Sequence, residues 1–194
     1  METECAGHIL SSADSQRYLR AAHGCLANGT NDKWLVNLTE HMGGDAQLTI
    51  AALAPILGTG KLMMYKNPAG NEFMVALTPH SVTNAGRTEW RWKAPIPTLT
   101  GPVTFVWSGG CASACEALAI AVKGRFKSVG QPTAGFTTAN ESIVLNKRLM
   151  LALTEGIMAD SSGRAHEKVI PDLQLDEEQI GTLLAGKRVD GMDL

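Results

Sequence analysis

Ser113 is the residue whose type and surroundings in the sequence best fit chemistry. It lies in the hexapeptide Cys-Ala-Ser-Ala-Cys-Glu at 111–116, after an apolar run at 103–107 and a Ser-Gly-Gly turn. The apolar run predicts a buried strand, and the alanine-rich run after the serine predicts a helix. A serine in the first helical turn lies beside N–H groups that lack helical partners. Such groups stabilise the oxyanion formed when a hydroxyl attacks a carbonyl, so the pattern predicts an acyl-transfer serine.

A purely structural role for the same residues is the alternative. Ser113 and Glu116 have the S-x-x-E spacing of a capping box, in which the two side chains satisfy backbone donors and do no chemistry. The hexapeptide alone leaves both interpretations open.

Composition predicts one folded domain over residues 1–194. Hydrophobic residues make up 44% and charged residues 19%, and the net charge is −2 without a basic block, which argues against nucleic acid or an anionic membrane as partner. No apolar run approaches the ~18 residues of a membrane span. The N-terminus is acidic and lacks a signal-peptide core, so we expect no export of the chain as written. A trimmed leader would change that expectation, and the sequence leaves the compartment unknown.

The four cysteines form no C-x-x-C pair and no zinc-like cluster, so no metal is predicted. Cys111 and Cys115 flank Ser113. We expect them to be small buried thiols packed beneath the turn, without a redox role.

Strand-like and helix-like segments alternate along the chain, which predicts a mostly parallel α/β sheet. Twice a strand passes through a glycine loop into a helix, and ligands bind at such strand ends. The tract 78–101 is rich in Pro, Thr, Asn and Trp and predicts an excursion or flap. Strands are expected at 7–10, 34–38, 61–65, 72–77, 103–107, 126–129, 142–145, 148–153 and 173–175, and helices at 13–26, after Asp45 to about 57, after Ser113 and after Asp176.

Three motifs resemble those of the C-terminal-processing (tail-specific) serine peptidases. Residues 37–45 resemble D-L-R-x-N-x-G-G-N, and 111–116 resemble T-A-S-S-G-E, whose first serine is the nucleophile. Residues 130–140 are similar to G-x-x-T-A-G-Y-T-T-A-N of the histidine-dependent branch, which includes the nisin resistance protein and the tricorn protease core. Downstream, Gly163, Glu167 and 169–172 follow in the family's order, and the resemblance covers about 7–175.

The resemblance implies a fold and a set of roles. The fold is a ClpP/crotonase-like spiral of β-β-α units, and Ser113 is the nucleophile. The oxyanion hole combines the N–H of Ala114 with an amide of Gly43 or Gly44, although these glycines also fit a plain turn into a helix. Glu167 would orient the base, although its position alone favours a solvated surface glutamate. The implied substrate loop holds Thr133, Gly135, Thr137, Thr138 and Asn140.

The general base is where the chain departs from the family. The lysine of the other branch falls near Phe136, which excludes a Ser–Lys dyad. The histidine branch takes its base from an upstream segment that this chain does not contain, and His8 does not match it. His41, which replaces the family's asparagine, is the first substitute, and His80 and His166 are weaker ones. His23, on the first helix, is expected to be a surface or packing residue.

The sequence thus predicts a serine endopeptidase core that cleaves peptide bonds through an acyl-enzyme on Ser113, without a cofactor. The expected partner is a peptide or protein substrate bound as an added strand. A homo-oligomer or a missing N-terminal partner segment is left open, and the family is often secreted or in the cell envelope. The alternative is a non-catalytic module of the same fold that binds a peptide or a hydrophobic ligand. A crotonase-type acyl-thioester enzyme is a third, weaker candidate.

Overall fold

The computed structural model describes residues 12–27, 33–93, 95, 99–146 and 148–189. This part of the chain is a mixed α/β structure. Its helices are α1 (Ser12–Ala27), α2 (Ala46–Ala52), α3 (Ala54–Leu57), α4 (Ala114–Val122) and α5 (Glu177–Leu184). Its strands are β1 (Trp34–Asn37), β2 (Gly60–Lys66), β3 (Glu72–Thr78), β4 (Ser81–Asn84), β5 (Arg87–Arg91), β6 (Val103–Trp107), β7 (Lys127–Gly130), β8 (Thr138–Asn146), β9 (Leu149–Asp160) and β10 (Leu173–Gln174).

A four-stranded parallel sheet carries the strand that leads to Ser113. Its order is β1-β6-β7-β10, and Val36 is paired with Phe105 while Val106 is paired with Val129. All five residues of β6 are buried, as expected for an interior strand of a parallel sheet with both faces covered. The predicted strand at 103–107 and the predicted parallel sheet are therefore confirmed.

The second sheet has six strands in the order β5-β4-β3-β2-β9-β8 and is antiparallel throughout. Its neighbours in sequence are joined by short turns, which permit antiparallel pairing only. The sheet arrangement is thus less parallel than the sequence predicts. Residues 81–91, within the expected excursion 78–101, form the hairpin β4–β5 at one edge of this sheet.

Local capping signals set the beginnings of two helices as predicted. The Asp45 carboxylate accepts a hydrogen bond from the N–H of Leu48 at 2.9 Å, and the Asp176 carboxylate accepts one from Gln179 at 2.8 Å. The helix expected to run to residue 57 is interrupted at Leu53, since Pro55 follows in the first turn of α3. The strand expected at 7–10 lies outside the described residues.

Helix α4 is the centre of the hydrophobic core. Every residue from Ala114 to Val122 is buried, and α4 packs against α2, β2 and β9. Because its composition is apolar apart from Glu116, the helix can be buried on all sides. Ser113 is therefore attached to a helix that is buried along its whole length. Among the described residues, no helix is long and apolar enough to cross a membrane.

Candidate active site

Ser113 has a backbone conformation that side-chain-bearing residues rarely adopt. Its φ is 54° and its ψ −112°, and the other described non-glycine residue with positive φ is Ala85, in the β4–β5 turn. Such a conformation costs about 1–3 kcal/mol and persists only where the surroundings impose it. Strained serines at strand-to-helix turns present their hydroxyl at the end of a sheet. The local geometry is therefore one in which a serine hydroxyl can be displayed at the end of the sheet.

Gly43, from the first motif, lies directly against Ser113. A Cβ atom added to Gly43 would lie 3.4 Å from Cβ of Ser113 and 3.8 Å from its Oγ. The strand ends are held together by two hydrogen bonds: the Ser108 hydroxyl donates to the carbonyl of Thr39 at 2.5 Å, and the N–H of Leu38 donates to the carbonyl of Val106 at 2.8 Å. Gly43, from the first motif, and Ser113, from the second, thus lie together in the structure.

The amides around Ser113 differ in their availability. The N–H of Gly43 points to Nδ1 of His41 at 3.4 Å. Within the described ranges, the N–H groups of Gly44 and Ala114 make no hydrogen bond. Gly44 has a φ of 124°, and a Cβ atom added to it would have no neighbouring group within 4 Å. Gly44 and Ala114 therefore offer amides to a ligand near Ser113.

The capping-box alternative is partly realised. The N–H of Ser113 donates to Oε2 of Glu116 at 3.1 Å. The Ser113 side chain faces the Glu116 amide in a capping-box arrangement but makes no well-formed cap hydrogen bond. The hydroxyl is thus left for other partners, while Glu116 holds the serine backbone.

Glu116 lies at the centre of the candidate site, although sequence reasoning gave it only the capping role. It is fully buried, at 0% exposure. Its Oε1 accepts hydrogen bonds from the Thr133 hydroxyl at 2.6 Å and from the N–H of Gly135 at 2.8 Å. The sequence signal for this role is a single carboxylate in an otherwise apolar helix. A buried carboxylate needs several hydrogen-bond donors, so such a residue indicates contacts with other segments.

The third motif, residues 130–140, is divided between the candidate site and the hairpin formed by β8 and β9. Thr133 accepts a hydrogen bond from the N–H of Val169 at 2.9 Å while donating to Glu116, and the N–H of Ala134 donates to the carbonyl of Cys111 at 2.9 Å. Thr133 and Gly135 therefore lie behind the serine turn.

The remaining residues of that motif follow the chain into β8. The Thr137 carbonyl accepts from the N–H of Met158 at 2.8 Å, Thr138 is paired with Ile157, and the Asn140 side chain accepts from the Thr154 hydroxyl at 2.9 Å. These three residues make strand contacts and no hydrogen bond to Ser113 within the described ranges.

His41 is close to the site without contacting the Ser113 hydroxyl. Its Nδ1 faces the N–H of Gly43, and its Nε2 lies 3.4 Å from the Thr49 hydroxyl. Burial lowers the pKa of His41, so the imidazole is neutral at pH 7. In the described part of the chain, no hydrogen bond joins His41 to Ser113.

The other candidate residues occupy different places. His166 pairs with Asp160 at 3.0 Å. Burial opposes ionisation of Asp160, but hydrogen bonds from Ser162, His166 and the Arg164 amide together hold its pKa well below the usual range. Glu167 is exposed, with its carbonyl beside Gly135. An open cavity of about 600 Å³ is lined by Ala134, Gly135, Arg164, Ala165, His166, Glu167 and Lys168.

Three positions considered for the base lie elsewhere. His23 contacts the carbonyl of Ala51 at 2.7 Å, His80 is exposed in the β3–β4 turn, and His8 lies outside the described residues. Phe136, where the other branch has lysine, is 66% exposed.

Cys111 and Cys115 form a disulfide, so the expectation of two free thiols is wrong. Both residues are fully buried, and they lie on either side of Ser113. The turn before α4 brings their side chains together, which a four-residue separation in sequence does not by itself predict. Cys25 is free and exposed.

The chain is similar to known peptidases over most of its length. The model of peptidase family S41 matches residues 8–175. The nisin-resistance protein of Lactococcus lactis subsp. lactis is 23% identical over 176 residues, which cover 88% of this chain and 54% of that protein. This chain thus spans about half the length of that relative.

Two solved structures share the fold. A lipoprotein from Streptococcus agalactiae has a TM-score of 0.74 at 24% identity, with 91% of this chain and 62% of that chain covered. The photosystem II D1 C-terminal processing protease has a TM-score of 0.62 at 22% identity, with 91% of this chain and 42% of that chain covered.

Proposed function

The chain belongs to peptidase family S41, and from that premise we propose that it is the core of a serine endopeptidase of the tail-specific type. The family membership confirms the resemblance drawn from the three motifs. The observation that carries the proposal is the strained Ser113 backbone packed against Gly43. We further propose that the two sheets belong to a ClpP/crotonase-like spiral.

In the proposed reaction, the Ser113 hydroxyl attacks the carbonyl carbon of a peptide bond and gives its proton to a general base. The tetrahedral oxyanion accepts hydrogen bonds from the N–H groups of Ala114 and Gly44, which have no other partner among the described residues. Collapse of the intermediate expels the amine, which takes the proton, and leaves an ester on Ser113. Water then hydrolyses this acyl-enzyme by the same steps.

The source of the base is part of the proposal. A segment of a longer protein or another subunit can supply it, as the family resemblance implies; the form of the proposal that the purified chain tests has the base within the chain. His41 is the candidate within this chain, because it is neutral and adjacent to Gly43. To reach Ser113, its ring would have to leave the Thr49 hydroxyl. Glu167, at the rim of the cavity beside Gly135, is the proposed orienting carboxylate.

A peptide or protein is the proposed substrate. The cavity beside Gly135 is open to solvent and adjoins the loop that Glu116 holds behind Ser113. We propose that an extended peptide binds along this loop as an added strand, with Thr138 and Asn140 continuing the contact surface and the buried Thr137 supporting it from beneath.

Peptide hydrolysis with trapping of the acyl-enzyme tests the proposal. Casein is incubated with the protein, and fragments and acid-quenched covalent adducts are identified by mass spectrometry. We expect fragments and an acyl adduct on the peptide that contains Ser113, both absent in Ser113→Ala. Ser142→Ala, at an exposed serine of β8, is the matched control and should retain both. Fragments that persist in Ser113→Ala, or none in the wild type, would contradict the proposal.

A ligand-binding module of the same fold is the second candidate. The observation that favours it is that the hydroxyl of Ser113 makes no hydrogen bond to a histidine within the described ranges. Calorimetric binding of a peptide by both wild type and Ser113→Ala, without turnover in either, would support this candidate.

A further inference from the structure

We propose that Cys111 and Cys115 are positioning residues for the nucleophile, and that reduction of their disulfide lowers the reactivity of Ser113 without unfolding the protein. This inference rests on the proposed role of Ser113 as a nucleophile. It extends that role to a covalent cross-link that spans the serine turn.

The cross-link spans Ser113, whose backbone conformation is unfavourable. Ser113 is the middle residue between the two cysteines and has a φ of 54°. Hydrogen bonds also hold this turn: the N–H of Cys111 donates to Ser108 at 3.1 Å, that of Cys115 to Ala112 at 3.0 Å, that of Ser113 to Glu116 at 3.1 Å, and that of Ala117 to the carbonyl of Ser113 at 2.9 Å. A covalent bond around the serine limits relaxation toward ordinary backbone angles.

Both ends of the cross-link are fixed in the structure. Cys115 belongs to α4, which is buried along its whole length. The carbonyl of Cys111 accepts the N–H of Ala134, from the loop that Glu116 also holds. The disulfide therefore connects the serine turn, the core helix and the loop of the third motif. Its loss is expected to loosen these three segments together.

The rest of the domain should survive reduction. The disulfide closes a loop of only a few residues, so it restricts the unfolded chain little. Two reduced cysteines would remain small apolar groups in the same buried space. The expected effect is thus local to the turn.

The redox step is an ordinary thiol–disulfide exchange. Dithiothreitol supplies two electrons and two protons, the Sγ–Sγ bond breaks, two cysteine thiols form, and the reductant leaves as its cyclic disulfide. Oxidised glutathione reverses the step by accepting two electrons and two protons and becoming two glutathione molecules.

Hydrogen–deuterium exchange tests the positioning directly and needs no activity. The protein used carries Cys5→Ser and Cys25→Ser, so that the pair at 111 and 115 are its remaining cysteines. We expect reduction to speed exchange in peptides covering 111–116 and 133–135 by at least about tenfold, while β2 and β3 keep their protection. Unchanged exchange at 111–116 would overturn the inference.

The second arm measures the rate at which a fluorophosphonate labels Ser113 in the oxidised, reduced and reoxidised protein. We expect labelling to fall at least about tenfold on reduction and to recover on reoxidation. A Cys111→Ala/Cys115→Ala variant should label at the slow rate with or without reductant. If the buried disulfide resists reduction, this variant still tests the inference, because it lacks the disulfide.

The outcomes separate this inference from the proposed function. Equal labelling of the oxidised, reduced and double-alanine proteins, with thiol content verified by mass, overturns the inference and leaves the peptidase proposal standing. No labelling of the oxidised protein contradicts the peptidase proposal itself, and with it any effect of the disulfide on reactivity. Loss of all exchange protection on reduction would also overturn the inference, because the effect would then be unfolding.

Discussion

The Thr133 hydroxyl donates a hydrogen bond of 2.6 Å to Oε1 of Glu116, and this contact joins the third motif to the serine turn. The other oxygen of the same carboxylate accepts the N–H of Ser113. The backbone of Ser113 and the loop beside the open cavity are thus held by one buried side chain. Changes on either side of Glu116 should therefore affect Ser113.

Thr133→Val should destabilise the fold and slow the labelling of Ser113. The variant keeps the shape but removes a donor to Glu116 and the acceptor of the Val169 N–H. We expect a loss of about 1–3 kcal/mol in the free energy of unfolding, measured in urea. The control is Thr154→Val, whose exposed hydroxyl donates to Asn140, and it should change stability by less than about 0.5 kcal/mol. Equal effects of the two variants would contradict this view of Glu116.

Glu116→Gln should be coupled to Thr133→Val in a double-mutant cycle. An amide keeps the size of the carboxylate but places N–H groups toward either the Ser113 amide or the Gly135 amide. Because the two side chains share one hydrogen bond, the double variant should lose less stability than the sum of the single variants, by about 0.5–3 kcal/mol. Additive effects in urea unfolding would show that the contact does not contribute.

Gly43→Ala should slow the labelling of Ser113, whereas Gly60→Ala should lower stability by a similar amount without slowing the labelling. Both Gly43 and Gly60 have unusual backbone angles, with φ of 139° and 134°, so alanine at either should cost about 1–3 kcal/mol. The methyl group at 43 would lie 3.8 Å from the Ser113 hydroxyl oxygen, whereas at 60 nothing lies within 4 Å. We expect at least about tenfold slower labelling for Gly43→Ala alone. Equal labelling rates in Gly43→Ala and Gly60→Ala would mean that the labelled group does not lie beside Gly43.

Gly130→Ala should prevent folding. A Cβ at Gly130 would overlap the carbonyl oxygen of Trp107, in the strand that leads to Ser113. The loss is expected to exceed about 3 kcal/mol, because backbone strain and overlap add. Gly124→Ala is the matched control, since its φ is 72° and its surroundings are empty, and should cost about 1–2 kcal/mol. Thermal unfolding of the two variants makes the comparison, and a well-folded Gly130→Ala protein would contradict the close approach.

The stability of the fold should depend on pH through His41. Its folded pKa is lowered by burial from 6.5, so the unfolded chain binds the proton first as the pH falls. The stabilisation is therefore complete above pH 6.5 and declines as the pH falls below it toward the folded pKa. His41→Gln should flatten this part of the curve of unfolding free energy against pH. An unchanged slope would mean that His41 is more hydrated than its contacts indicate.

The features set by local sequence were predictable. Some signals determine the structure of only the few residues around them. They are the apolar run at 103–107, the glycine turn after it and the aspartates before α2 and α5. In the structure, the strand and the helix starts lie where these signals predict them. Glycine at 43 beside serine at 113 needed the family resemblance, because the contact joins distant segments.

What could not be predicted depends on distant partners. The role of Glu116 requires Thr133 and Gly135, which reach it only after β7 has returned the chain to the site. The disulfide depends on the turn geometry before α4, and the six-stranded antiparallel sheet depends on pairing β2 with β9, far along the chain. The start of β8 at Thr138 is likewise set by pairing with β9, which is why the end of the third motif leaves the serine turn.

The reaction of the purified protein with a fluorophosphonate, followed by intact mass, tests the central claim most directly. A serine with the backbone of Ser113, packed against Gly43 and close to the amides of Gly44 and Ala114, should give a single adduct. That adduct should be absent in Ser113→Ala and present in Ser142→Ala. An unmodified wild-type mass, or an adduct that persists in Ser113→Ala, would contradict the account of Ser113 as the reacting residue.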